Sequence, residues 1–533
     1  MTFLRQGKVR SNSAGNASCR RVFYSIVLGL LMVQVLVAQQ TGQESISALI
    51  RQNRLQEAEQ QLWGVLGGHQ DAGWALGLLG RIRLRQSRFD EAEALFRKVL
   101  ETNPKDIQAY RGLGETYRLE GKDDSAIETY SRLVKLAPAD SDANLALAKL
   151  YVRKEQYRES LTAISRVPRA ARTAEFLPLL AADYFGLQQS QKVPPLVEQV
   201  LPQSTNHPGV AIEFAAVLAR NGYIDDAAHL LKLIRPAKPS VEYLRVWARV
   251  LDAQGDHAGA QNAVAEALKL NPKSADVLFD SAHLAADAGD WEKAANLLTR
   301  ANAVQPDNPA TLTKLTVALL KLGRVEGAVE TAKSLVSLQP KDLDAQYLLA
   351  LAFVQNDRWE AAEPIARKLI EARPSDASTQ LLLAKVEFDK GDYVAAKQTL
   401  GRCLAIDPTM REAHFYVAQI ADRDGDLDTA RTELEGLVQA VPSSAPWQEE
   451  LGGVYLKTGD LQKARAALET ASRLAPDISI GHYQLGVVYA RLGLQDRAHE
   501  EMEQYQKLKV IEDSLRKNKS RANESTPAAR HAN

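Results

Sequence analysis

Apolar and polar positions in this chain follow a helical rhythm that restarts at regular intervals. Between Ile107 and Asp140, Tyr110, Leu113, Gly114 and Tyr117 recur at helical spacing and predict one face of a short amphipathic helix. Gly121 and Lys122 break the pattern, with Gly121 where a helix end calls for a left-handed residue. Ala126, Tyr130 and Leu133 then mark the buried face of a second helix, which Pro138 stops. Gly114 and Ala126 are small, which predicts a close approach of the two backbones. Neither helix buries its stripe alone, so the hairpin requires neighbours.

The chain supplies them. Closing prolines stand at Pro104, Pro138 and Pro239, and from Pro272 to Pro476 they fall every 34 residues. The Ala126 position recurs from Ala58 and Ala92 through Ala227, Ala260 and Ala294 to Ala498. Gly or Ala holds the Gly114 position at Gly80, Ala148, Ala181, Ala215, Ala248 and onward to Gly452 and Gly486. Period, small-residue pairs, turn glycines and prolines agree independently. On these residues the chain resembles a tetratricopeptide-repeat (TPR) protein over about residues 39 to 510. The resemblance implies an all-α fold, a right-handed α-solenoid (superhelix) of about 14 TPR helical hairpins.

It also implies that the first helices line a concave groove binding peptides or protein segments. Groove positions carried onto this chain include Arg111, Glu115 and Arg118 early, then Tyr347, Leu351 and Val354, then Leu381, Lys385 and Phe388, then Phe415 and Gln419. The early portion is charged, whereas 343–420 is apolar with aromatic content. A contiguous exposed apolar patch marks a binding site, but the same spacing describes side chains packed between adjacent helices. Both readings stand at this point. The lysine and asparagine pair of TPR domains that grip a chaperone's C-terminal carboxylate is absent: the matching pairs are Arg111/Glu115, Arg245/Arg249, Tyr347/Leu351 and Leu381/Lys385. Nor is there the asparagine ladder of protein O-linked N-acetylglucosamine transferases, whose positions hold Gly112, Ala146, Leu348 and Leu382. Arg245 with Arg249, and Arg81 with Arg85, form local basic spots.

The ends and one internal stretch depart from the pattern. Residues 1 to 21 are polar and basic, and Val22 to Ala38 is a 17-residue apolar run. Residues 1–38 therefore read as a secretory signal peptide, with an uncleaved signal anchor as the alternative. No cysteine follows the run, which speaks against a lipoprotein anchor. Residues 39–172 read as an N-terminal TPR block. Its first unit is degenerate, with Ile46, Leu49, Ala58, Leu62 and Val65 as core, and its fourth is cut short by Pro168. Residues 173–207 read as a divergent helical hairpin and candidate hinge: Pro178 intrudes, Val193 replaces the small alanine, and Pro194 and Pro195 start the second helix. Residues 208–510 form a C-terminal TPR block. Over 511–533, a capping helix carrying Ile511 and Leu515 is expected to give way after Lys517 to a disordered polar tail.

Composition changes the picture in few places. The 45% apolar and 6% aromatic content suits a stack rich in alanine and leucine. Basic and acidic residues number 66 each, but five basic ones (Arg5, Lys8, Arg10, Arg20 and Arg21) precede Ala38 with no acid, leaving 61 against 66 in a cleaved chain. That balance speaks against nucleic-acid binding. Cys19 and Cys403 are the only cysteines, which excludes a disulfide framework; Cys403 reads as a small core residue. There is no P-loop and no Gly-x-Ser-x-Gly elbow, and the nine histidines are scattered without metal-ligand spacing. Lone histidines read as surface or groove residues. Asp123 with Asp124, and Asp225 with Asp226, read as helix caps.

No catalytic residue, metal or cofactor is expected. The function this implies is a non-catalytic scaffold of the cell envelope, exported to the periplasm or secreted, that holds a protein or peptide partner in the concave face. Membrane contact would come only through an uncleaved anchor. Narrower alternatives are an adaptor subunit of an envelope export or assembly machine, such as polysaccharide secretion, or a recognition arm for a separately encoded glycosyltransferase or hydrolase.

Overall fold

The computed structural model describes residues 42–68 and 72–525, with side chains as far as Ser514; the expected signal peptide or anchor at 1–38 lies outside these residues. Among the described residues there are 28 α-helices and no strand. The chain divides into two compact units, Met1–Ala263 and Val264–Asn533. Unit 1 contains α1 (42–51), α2 (Leu55–Gly68), α3 (Gly73–Arg85), α4 (Phe89–Thr102), α5 (Ile107–Leu119), α6 (Asp123–Leu136) and α7 (Ser141–Arg153). It continues with α8 (Tyr157–Arg166), α9 (Phe176–Gly186), α10 (Pro194–Val200), α11 (Pro208–Arg220), α12 (Ile224–Leu233) and α13 (Val241–Ala253). Helix α14 (His257–Leu270) runs across the division. Unit 2 contains α15 (Ala275–Asp287), α16 (Trp291–Val304), α17 (Pro309–Lys321), α18 (Val325–Leu338), α19 (Leu343–Gln355), α20 (Trp359–Ala372) and α21 (Ala377–Asp389). It ends with α22 (Tyr393–Ile406), α23 (Arg411–Asp424), α24 (Leu427–Ala440), α25 (Ala445–Thr458), α26 (Leu461–Leu474), α27 (Ser479–Arg491) and α28 (Gln495–Ser525). Odd and even helices pair as the first and second arms of successive hairpins. The expected all-α, right-handed α-solenoid of about 14 hairpins is therefore the fold of this chain.

Each arm starts and stops for local reasons. Many first helices have a side-chain cap: Asp106 accepts from the Ala109 N–H and Asp140 from the Ala143 N–H, both at 2.9 Å. The turn between arms is left-handed, at Gly121 in unit 1 and at Gly289 through Gly493 in unit 2. There the Lys122 N–H donates to the Tyr117 carbonyl (2.9 Å), closing a Schellman-type loop. Where glycine is absent the geometry persists, with Ser87, Glu155 and Gln188 at φ of 58°, 58° and 56°. The acidic pairs of the turns do not cap, contrary to expectation. Lys122 and Tyr223 are the N-cap residues, without side-chain bonds, and the aspartates sit within the first turn, where the helix dipole favours them. Asp123 and Asp124 instead pair with Arg153 and Lys154 of the next hairpin.

Small residues on first helices make room for large ones on second helices. A Cβ on Gly112 would lie 2.3 Å from the Phe96 ring and one on Gly80 2.9 Å from it, so Phe96 of α4 fills the space between α3 and α5. Gly114 is small for the same kind of reason: a Cβ there would meet the Tyr130 ring at 2.8 Å. The space that close backbone approach was expected to use is thus filled by a ring. In unit 2, Gly452 stands in the same relation to Leu468 (2.5 Å). Cys403 is fully buried, as expected, with its thiol donating to the Ala377 carbonyl at 3.3 Å.

A polar clamp recurs that periodicity did not reveal. The residue six places after a closing proline turns back to that proline's carbonyl. Asn144 does so in unit 1 (2.9 Å to Pro138), and Gln346, Gln380 and Gln448 do so in unit 2, at 2.7, 3.3 and 3.0 Å. His414 and His482 take the same place, bonded to the carbonyls of Pro408 and Pro476 and to Glu433 and Glu501. These two histidines are therefore braces of the inter-hairpin turn rather than surface or groove residues.

The divergent stretch forms a hairpin with shortened arms. Helix α8 has 10 residues where α4 and α6 have 14, and α10 has seven, with Pro194 in its first turn. Asp183 of α9 is fully buried. It occupies the register that Ile82, Thr116, Leu150, Val217 and Val250 hold elsewhere in unit 1. Ser160, standing where Ala92 and Ala126 stand, donates to Asp183 Oδ2 at 2.8 Å. At the other end, α28 continues through Ser525, eight residues beyond the predicted boundary at Lys517. That stretch lacks apolar spacing but contains neither glycine nor proline to stop a helix.

Two outcomes follow. Gly112→Ala forces the Phe96 ring out of its site and should cost about 1–3 kcal/mol in chemical denaturation, and Phe96→Leu in the same chain should recover part of it. Burial pushes the Asp183 carboxyl up to about 7 against the hydrogen bond from Ser160. The folded chain then keeps a proton that the unfolded chain releases above its ordinary pKa of 3.8. This group's contribution to stability falls as pH rises towards 7. Hydrogen exchange in α8 and α9 should accelerate from pH 5 to pH 8 beyond the intrinsic rate change, and Asp183→Asn should remove that excess.

The first-helix face as candidate functional site

In unit 1 the charged positions are tied to one another. Arg111 on α5 pairs with Asp140 (2.7 Å), the cap of α7, and also with Asp142. Arg118 pairs with Glu115 one turn earlier (2.6 Å), and the Tyr130 hydroxyl donates to Glu115. All three predicted residues are half-exposed and lie along α5, each already engaged. Such pairs are worth little in stability, but they fix the side chains that a ligand would meet.

The same face opens into a concavity of about 580 Å³ between α11 and α13. Glu213 and Arg220 line one wall and Arg245 and Arg249 the other, so the basic spot anticipated from sequence faces this space. Burial and the neighbouring Arg249 hold the Arg220 guanidinium below its ordinary value, and burial raises the Glu213 carboxyl. The other basic spot contributes Arg81 to a space of about 410 Å³, beside Trp74 and Asp106. Burial, Arg85 and Arg51 together depress the Arg81 guanidinium.

In unit 2 the predicted residues form a seam. Tyr347 and Leu351 on α19 are half-buried and pack with Leu382 and Leu383 of α21, while Leu381 is buried. Phe388 lies edge-on to both Tyr393 (5.3 Å) and Tyr416 (5.0 Å), joining α21, α22 and α23. Lys385 reaches Glu412 of α23 at 2.5 Å and lies 5.9 Å from the Tyr416 ring centre. Phe415 faces Trp447 of α25 at 6.5 Å, and the Gln419 amide donates to Glu450 at 3.0 Å. Tyr347, Leu351, Lys385, Phe388, Phe415 and Gln419 thus touch the next hairpin and remain half-exposed. The partners Glu412, Tyr416, Trp447 and Glu450 were not identified beforehand; their signal is spacing relative to the next hairpin, not to their own helix. Among the described residues no cluster of histidine, cysteine or carboxylate could hold a metal ion.

Repeated helical hairpins with a graded first-helix face define an interaction solenoid. Family models described as tetratricopeptide repeat match residues 78–141, 110–235, 253–316, 285–350, 319–386 and 423–487. One described as the second ARM domain of tetratricopeptide repeat protein 21 matches 355–425. The chain belongs to the tetratricopeptide-repeat family. It is 27% identical over 287 residues to the cellulose synthase operon protein C of Xanthomonas axonopodis pv. citri, covering 52% of this chain and 17% of that protein. It is 30% identical over 94 residues to superkiller protein 3 of Schizosaccharomyces pombe, covering 18% of this chain and 7% of that one. The chain thus spans less than a fifth of the length of these relatives. Similar solved structures include the APC/C hetero-tetramer Cut9-Hcn1, at 14% identity and TM-score 0.42, covering 82% of this chain and 94% of that one. A tetratricopeptide repeat protein from Parabacteroides merdae stands at 18% identity and TM-score 0.42, covering 46% and 98%.

The seam geometry predicts a split between packing and surface roles. Phe388→Ala removes two edge-on ring contacts and should cost unit 2 about 2 kcal/mol. Gln419→Ala should stay within roughly 0.5 kcal/mol. Urea titration of the two variants distinguishes them.

Proposed function

We propose that this chain is a non-catalytic scaffold that binds a segment of a partner protein along its first-helix face. The observation that carries the reading is the half-exposed row of Tyr347, Phe388 and Phe415 beside Lys385, on helices already fixed by their neighbours. A surface held in place before a ligand arrives loses little freedom on binding. TPR repeats generally mediate protein–protein contacts, which supports a protein partner. The basic stretch and apolar run at 1–38 support export to the cell envelope, by cleavage or by anchoring. A narrower form, an adaptor in a polysaccharide-producing envelope machine, is favoured by the similarity to a protein named for a cellulose synthase operon.

The test places a photo-crosslinking amino acid at Tyr347, Phe388 or Phe415, and as a control at Val394, which is 73% exposed on a second helix. A shared adduct from the first-helix positions, absent from Val394, is expected in an envelope fraction. The same adducts from Val394, or none from any groove position, would sink the proposal. Thermal melts of each variant guard against reading an unfolded stack as lost binding.

A further inference from the structure

Unit 1 holds a further, differently charged concavity beside its shortened arms. A space of about 530 Å³ lies between the 169–173 segment that follows the short α8, α9 and the seven-residue α10. Arg169, Arg172 and Lys192 stand around it, with the amides of Gln199 and Gln203, and Leu177 and Leu196 form an apolar floor. None of the residues lining it is acidic. A groove two hairpins earlier, of about 520 Å³, is lined by both signs: Arg97 and Arg132 with Glu101 and Glu128. There Arg132 is paired with Glu128 at 2.7 Å. The contrast is therefore one of charge, in spaces of nearly equal size.

Two of the three cations of the later space, Arg172 and Lys192, are braced by neutral acceptors. Arg172 donates Nε to the Val167 carbonyl (3.0 Å), and Lys192 donates to Gln189 Oε1 (2.7 Å) while lying 5.2 Å from the Tyr184 ring centre. These bonds hold the side chains in place and leave their charge uncancelled. Gln199 and Gln203 donate their amide hydrogens to the carbonyls of Pro195 and Gln199, which leaves amide oxygens as acceptors. Fixed cations, amide acceptors and an aliphatic floor match carboxylates, backbone N–H groups and an aliphatic side chain. We propose that this concavity binds an acidic peptide segment carrying aliphatic side chains. The site is separate from the first-helix face: α9 turns Leu177, Leu180 and Tyr184 towards it, whereas Pro178, Ala182 and Phe185 line a different space.

Fluorescence anisotropy on the full chain tests this, with a fluorescein-labelled peptide of alternating glutamate and leucine as the probe. Saturable binding is expected, weakened about tenfold or more by Arg169→Glu and by Lys192→Glu. Arg132→Glu in the mixed-charge groove should leave the affinity unchanged. Neither Arg169 nor Lys192 lies in the core, and far-UV circular dichroism confirms that each variant is folded. The proposal fails if the peptide does not saturate, if both charge reversals leave affinity intact, or if the glutamine–leucine counterpart binds equally well. It also fails if inorganic phosphate or a galacturonate oligosaccharide displaces the peptide at similar concentration, since the site would then be selective for charge alone. Because the peptide is supplied directly, this result does not depend on whether the first-helix face captures a partner.

Discussion

Everything in this stack depends on contacts in which a residue with little or no side chain faces a large one across two helices. At Gly80, Gly112 and Gly114 the missing Cβ is the space that Phe96 and Tyr130 occupy. Such rings bury large apolar areas only if the opposing helix offers no side chain of its own. That requirement fixes the register of each hairpin against the next, because sliding by one residue would place a Cβ inside a ring. Stability is then close to a sum over neighbouring hairpins. The polar clamps onto proline carbonyls serve the same register from the turn side, satisfying carbonyls that lie in the turn outside either helix.

The same packing decides what the first-helix face can present. Residues whose spacing fits groove or core, with core packing the favoured reading, do pack: Phe388 and Phe415 hold adjacent helices together and stay half-exposed. The charged positions around Arg111 behave differently, since their partners lie on the cap and first turn of α7. A ligand there must compete with existing ion pairs, whereas along α19, α21 and α23 it meets fixed aromatic edges, with Lys385 among them paired to Glu412. The aromatic stretch is thus the better-prepared surface.

Much of this architecture was legible in the sequence, because prolines, turn glycines and small residues mark boundaries that backbone sterics impose. The truncation of α8 was readable from Pro168, and the start of α10 from Pro194. What stayed hidden were contacts whose partners lie one hairpin away. The glutamine, asparagine and histidine clamps look like ordinary polar positions until each is counted from its proline. Asp123 and Asp124 looked like caps because their pairing with Arg153 and Lys154 spans 30 residues. The cationic concavity joins Arg169, Lys192 and Gln203, which no local motif would group. Helix α28 outran its predicted end because a polar composition does not forbid a helix when no breaker intervenes.

The divergent hairpin concentrates the exceptions, and they act in one direction. Shorter arms remove apolar contact area, and Asp183 with Ser160 puts a polar pair where neighbouring hairpins bury aliphatic and alanine side chains. In a chain whose stability is summed hairpin by hairpin, the hairpin with least burial is where local opening costs least. A ligand seated between the end of α8 and α10 would supply contacts that the shortened helices lack, and binding to the closed form alone would stabilise that form by mass action. The cationic concavity and the polar pair in the core therefore belong to the same divergent hairpin.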